Sequence, residues 1–192
     1  EIDDESYRLI PESYPYSRGR VWSRVVDNLS KAGAKVIVFD IMFDAPDHTS
    51  KIIENYLSSE CHNCSSFNGD EQFSKSVLYA KKNGVDIVLA SKITNDVNRI
   101  PSDYIIYPTN SIMSENISTG LVNVVADNID YVFKRYPIFY RISSEPQKLY
   151  LTLAVQSVLD FKDIEFKNIT QDVANKLFKI NNLKINTYDK EA

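Results

Sequence analysis

No stretch of this sequence is apolar for the roughly 18 residues that a membrane-crossing helix needs, and no charged leader with an apolar centre opens it. The chain begins at Glu1 rather than Met, with Glu1-Ile2-Asp3-Asp4 reading as an acidic strand end. The expectation is therefore a piece of a longer protein, whose own membrane spans would lie elsewhere. Glycine is scarce: five residues, well scattered, leave no loop to cradle a phosphate and no G-x-G-x-x-G, P-loop or G-x-S-x-G. The two histidines stand in no recognisable pattern with a serine nucleophile and an acid. Lys and Arg (22) do not outnumber Asp and Glu (26), and the net charge of −4 lacks the clustered basic footprint of a nucleic-acid binder. Neither repeats nor low-complexity tracts occur.

What is present is ordinary for a globular domain: 43% apolar and 25% charged residues in 192. A chain of this length buries roughly 70% of its unfolded surface and needs neither metal nor disulfide to fold. Accordingly, no cofactor is expected. Ser17 can cap a helix over 18–32, on which Val21, Trp22, Val25, Val26 and Leu29 share a face. Gly33 suits the position after its end. The β-branched run Lys35 to Asp40 then reads as a buried parallel strand. The order repeats, with a helix from Asp70 to about Lys82 (Phe73, Val77 and Ala80 inward), Gly84 at its end and a strand over 86–90. Such alternation predicts an α/β fold, a layered mixed sheet, partly parallel, with helices packed on its faces. Further expected elements are a short helix at 111–116, strands at 121–125 and 131–141, and a helix over 147–161. The tail is expected to hold a short helix at 171–178 and a strand at 183–187. Residues 45–69 and 91–110 read as long loops, the second holding Pro101 and Pro108.

Three blocks carry a family resemblance. Tyr14-Pro15-Tyr16-Ser17-Arg18 matches an aromatic-Pro-aromatic-x-Arg lead-in to a helix. Residues 32–43, AGAKVIVFDIMF, match A-G-A-x-x-I-x-F-D-x-x-F, and 130–137, DYVFKRYP, match a D-G-V-x-R-R-x-P turn and strand. In that order, after Ile2-Asp3-Asp4, they resemble the type-2 CHASE domain, the cyclase- and histidine-kinase-associated sensory extracellular domain. Tyr131 stands where that pattern commonly has Gly, and Lys134 where it has Arg. The resemblance spans residues 1–161, and 162–192 reads as a C-terminal extension or membrane-proximal segment. It implies an extracytoplasmic input module of a membrane-embedded bacterial receptor, tethered to a cyclase, kinase or related output domain, and not itself an enzyme. Its partner would be an unknown small ligand or an extracytoplasmic protein, and a homodimer is a further expectation.

The candidate ligand-binding residues follow from strand ends and from these motifs. Asp3 and Asp4 end one expected strand, Asp40 ends another, and Asp44 follows it. Ligands of parallel sheets bind outside the carboxyl ends of strands. If the strands were neighbours, these carboxylates would meet at one edge, able to hold a hard cation or a polar ligand. The simpler account is that they satisfy loop N–H groups, with Asp40 paired to Arg18. Asp130 and Arg135 join the candidates from the third motif. Arg18 and Arg135 could clamp an anion, though pairing with a nearby Asp is the commoner use of such residues. Tyr16 and Trp22 read as core and helix-packing residues.

His48, Cys61, His62 and Cys64 hold every Cys and His of the chain. Zinc accepts such ligands, but the spacing is not that of a finger, so a metal site is not expected. On an extracytoplasmic face a Cys61–Cys64 disulfide is the simpler possibility. The alternatives to a sensor are a small metal-dependent α/β hydrolase-like enzyme using Asp3, Asp4 and Asp40, or a structural ectodomain that dimerises.

Overall fold

The fold is given by a computed structural model, which describes residues 3–10, 12, 14–60, 68–113, 117–124, 136–166, 169–172, 177–180 and 183–186. Its centre is the ten-residue strand β2 (Asp86–Asn95). β1 (Val36–Phe39) pairs parallel along one side of its first half, with Val36 opposite Asp86 and Phe39 opposite Leu89. β4 (Ser118–Leu121) pairs parallel along the other side, Val88 to Ser91. The second half of β2 pairs antiparallel with β3 (Asp103–Ile106). The expected mixed, partly parallel sheet is thus present. The segment over 91–110 is no loop for most of its length: it is a hairpin whose two strands bracket Pro101.

Alternation along the strands sorts the core. Ile37, Phe39, Ile87 and Leu89 face two helices, α2 (Ser23–Lys31) and α4 (Gly69–Lys82), and pack with Trp22, Val26, Phe73, Val77 and Ala80. The neighbouring residues Val88 and Ala90 turn the other way, toward α5 (Leu153–Phe161), which lies across β1, β2 and β4. Gly120 permits this approach, because a Cβ there would overlap the backbone of Leu153. Both α2 and α4 end as the sequence predicts, with Gly33 and Gly84 at φ of 85° and 78°, where a side chain is strained.

The lead-in to α2 is a π-turn, Arg18–Trp22, rather than an α-turn. Ser17 caps it, its Oγ accepting from the Arg20 N–H. The Ser23 N–H reaches back five residues to the Arg18 carbonyl, and the Ser23 hydroxyl donates to the carbonyls of Arg18 and Gly19. A side chain competing for these carbonyls widens the turn.

Several expectations are corrected. Asp3 ends no strand; it is the N-cap of helix α1 (Asp4–Leu9), its carboxylate accepting from the Ser6 N–H. The polar segment 45–69 contains a 13-residue helix, α3 (His48–Glu60). Asn68, not Asp70, caps α4. The helix over 147–161 starts only at Leu153, because Tyr150–Leu151 is a strand, β6, paired with β5 (Phe139–Tyr140). Of the tail helix expected at 171–178, residues 171–172 and 177–178 are strand and the four between lie outside the described residues. The strands β7 (Ile169–Asp172), β8 (Leu177–Ile180) and β9 (Leu183–Asn186) form an antiparallel meander. Its Ile180 packs with Leu151 and Leu159, so the tail covers the outer side of α5. Of the expected strand 131–141, residues 131–135 lie outside the described residues and among the rest only Phe139–Tyr140 are strand; the strand expected at 121–125 lies earlier, at Ser118–Leu121; and residues 114–116 of the short helix lie outside the described residues.

Candidate functional site

The carboxyl end of β1 is where the sequence places a site, and the structure builds one there with a different centre. After Phe39 the chain runs through residues 40–47 and starts α3. Phe43 dips into the core and packs on Trp22, Phe39 and Phe73. The Thr109 N–H donates to its carbonyl at 2.8 Å, which pins the loop. Arg18 lies over the Phe43 ring, its guanidinium carbon 4.9 Å from the centroid.

Arg18 is only 7% exposed and Asp70 6%. Arg18 Nη1 donates to Asp70 Oδ1 at 2.6 Å, and Nη2 donates to the Ala45 carbonyl. The other Asp70 oxygen accepts from Ser111 Oγ at 2.8 Å, and Ser111 Oγ is itself hydrogen-bonded to Thr109 Oγ1. Asp47 completes the node. Its Oδ2 accepts from the Arg18 N–H at 2.7 Å and from the Ser50 hydroxyl; its Oδ1 accepts from the Ser50 N–H, which caps α3. The buried hydroxyls of Ser17 and Ser50 are 3.0 Å apart. Gly69 belongs here for want of a side chain: a Cβ would overlap Ser50 Oγ and Asp47 Oδ2. The lead-in is held from outside by Glu12, which accepts from the Ser17 N–H and pairs with Arg20 at 3.0 Å.

Beside this node is a cleft of about 190 Å³. Its walls are the Tyr14-Pro15-Tyr16 lead-in and Trp22 on one side, and the 41–49 segment on the other. Tyr14, Tyr16 and Trp22 follow one another at ring-centroid separations of 5.7 and 6.0 Å, and Trp22 meets Phe43 at 6.5 Å. Tyr16 is 3% exposed, and its hydroxyl has no hydrogen-bond partner among the described residues. Burial, and then the nearby Tyr7, raise its pKa, so it stays a neutral phenol. Asp44 and His48 stand exposed on the lining.

The expected Arg18–Asp40 pair does not form. Asp40 is exposed, and Arg18 turns to Asp70 and Ala45, both supplied by segments read as loop or cap. Nor do Asp3, Asp4 and Asp40 gather: Asp3 and Asp4 lie at the start of α1, and among the described residues no three His, Cys, Asp or Glu side chains are placed to share a cation. Arg18, Asp44 and His48 are the candidates that meet at the cleft. Asp130, Arg135, Cys61, His62 and Cys64 fall outside the described residues. Asp47, Ser50 and Asp70 were missed. The one available signal was the D-x-x-S spacing of Asp47 and Ser50 ahead of a helix.

The sequence model of the CHASE2 domain matches residues 1–190, almost the whole chain. The chain belongs to the CHASE2 family. CHASE2 domains are sensory domains of signalling receptors, not catalytic ones, and generally extracytoplasmic. The match also runs through the meander that follows α5. No curated protein and no solved structure matches the chain. Among the described residues no helix is long and apolar enough to cross a membrane.

Proposed function

We propose that this CHASE2 domain is the extracytoplasmic input module of a membrane-embedded bacterial receptor with a cyclase or kinase output, and that it reads a small ligand in the cleft beside Arg18. The observation that carries the reading is the cleft itself. It opens at the carboxyl end of a parallel strand, where α/β sheets take ligands, and a buried ion pair holds its back wall rigid. A few fixed polar groups among aromatic walls are the usual make-up of a small-molecule site. Ligand contact with the 41–49 segment would bear directly on Asp47, and through it on the start of α3 and the Arg18 backbone.

The test fills the cleft in the parent receptor. Ala45 lies exposed on the lining, so Ala45→Trp blocks the space without entering the core. Output is followed in living cells across a panel of growth media, alongside Leu78→Trp on the exposed side of α4 as control. The expected result is an output that no longer varies with medium in Ala45→Trp, at unchanged receptor abundance, while Leu78→Trp follows the wild type. Output in Ala45→Trp that tracks the wild type through every medium overturns the reading.

A further inference from the structure

We propose that the ligand of this cleft is a small organic cation, an ammonium group on a compact apolar body. The inference rests on the cleft being the sensory site and goes beyond it in naming the chemistry.

Charge decides first. Arg18 is the only Lys or Arg among the described residues of the lining, and its guanidinium is matched by Asp70 at 2.6 Å. Asp44 and Asp47 then leave the lining with an excess of negative charge, in a chain whose net charge is −4. The groups that would hold an anion are already engaged. Both terminal nitrogens of Arg18 donate to protein oxygens, and the N-terminus of α3 is capped by the Asp47 carboxylate. An incoming carboxylate or phosphate would meet Asp47 at the place where a helix start would otherwise receive it.

The walls decide next. Tyr14, Tyr16, Trp22 and Phe43 line one small space, with Tyr14 and Tyr16 at 83° and Trp22 tilted by about 60° to both Tyr16 and Phe43. The rings pack against one another edge-on or tilted, and together give the cleft an aromatic wall, a surface that attracts ammonium groups. Arg18 already rests on Phe43 in this manner, so the space tolerates a cation against its rings.

Trp22 is the only tryptophan in the chain and lines the cleft, so its fluorescence reports occupancy directly. The isolated domain is titrated with choline, with its uncharged isostere 3,3-dimethylbutan-1-ol, and with acetate at matched ionic strength. Choline should shift the Trp22 emission saturably, while the isostere and acetate should not. Tyr14→Leu should weaken choline by about fourfold, the size of a cation–π contact at an exposed ring. Asp44→Asn should weaken it by about threefold, as for an exposed charge pair. Tyr14 and Asp44 are both exposed, so an unchanged thermal midpoint separates loss of binding from loss of fold. Equal response to choline and its isostere, response to acetate instead, or no response to any of the three each overturns the cationic class. If one of these occurs while Ala45→Trp still uncouples the receptor, the sensory reading stands and only the ligand class falls.

Discussion

Arg18 and Asp70 meet at 2.6 Å with both side chains more than nine-tenths buried; Arg18 also donates to the Ala45 carbonyl on the cleft wall, and Asp70 also accepts from the Ser111 hydroxyl. Removing one member strands the other charge away from water, at a cost of about 3–5 kcal/mol. Asp70→Ala should therefore lower urea-unfolding stability by about that amount. Asp40→Ala, on an exposed residue, should stay within about 0.5 kcal/mol of the wild type. A reversed ranking would return Asp40 to the centre of the site.

Gly120 should not tolerate a methyl group. A Cβ would overlap the Leu153 backbone, and neither β4 nor the first turn of α5 is free to retreat. Overpacking of this kind costs about 1–3 kcal/mol. Gly120→Ala is expected to lower the thermal midpoint, with Ser118→Ala on the same strand as the comparison. An unchanged midpoint for Gly120→Ala would show that α5 does not rest on β4 as closely as drawn.

Asp160, on α5, is expected to make stability fall as pH rises. Burial, and then the nearby Asp86, raise its pKa, while Gln156 Nε2 donates to only one of its oxygens, and the other is buried without a partner among the described residues. The folded state therefore holds the proton more tightly than the unfolded chain. That advantage is fully present below the ordinary carboxyl pKa and is lost as pH climbs through the raised one. Asp160→Asn keeps the acceptor for Gln156 and removes the charge. It should melt above the wild type at pH 7, with the gap closing as pH is lowered toward 3. A gap that does not change with pH would sink the assignment.

The C-terminal meander should be an integral part of the folded unit. Ile180 is fully buried against Leu151 and Leu159, and Phe178 meets Phe139 edge-on at 5.3 Å. Ile180→Ala should cost about 2–5 kcal/mol. A chain ending at Phe161 should melt lower than the full one and bind more of a hydrophobic dye. Equal midpoints for the two lengths would show that the tail is dispensable.

Much of this was legible in the sequence for a simple reason. Where a helix buries one face, its period is written in apolar residues, as in α2 and α4; β2, buried on both faces over its first half, shows instead as a continuous apolar run, and β1 as a short β-branched one. α3 is written less plainly. Its Ile52 and Tyr56 are 69% and 66% exposed, and among its described side chains the inward contact is the polar one of Ser50, in a segment the sequence shows as mostly polar. Pro101 suggested a loop for the same segment that Ile93, Ile105 and Ile106 build as a hairpin, because proline at a hairpin's turn leaves the ladder intact. In the tail, Leu177 to Ile180 fit a helix or a strand equally over so short a span. The pairing to β7 and β9 decided it. The geometry at the end of β1 was half legible: Arg18 was expected in an ion pair there and forms one, but with Asp70 rather than Asp40. Any of 26 acids could have met that guanidinium, and only the packing of α4 on the π-turn selects Asp70.

The node beside the cleft joins four stretches of chain: the 17–18 turn, the 43–50 segment, the start of α4, and 109–111. Arg18 and Asp70 are 52 residues apart, so their meeting closes a long loop whose entropy cost is recovered only once β1 and β2 have paired. In a chain made from its N-terminus, Arg18 and the aromatic lead-in emerge well before Asp70, and Asp70 before Ser111. All four stretches precede β4 and α5 in the chain, so the residues of the node are made before the sheet behind them is complete. The sensory reading proposed above then implies that an occupant of the cleft favours the finished fold over every partial one.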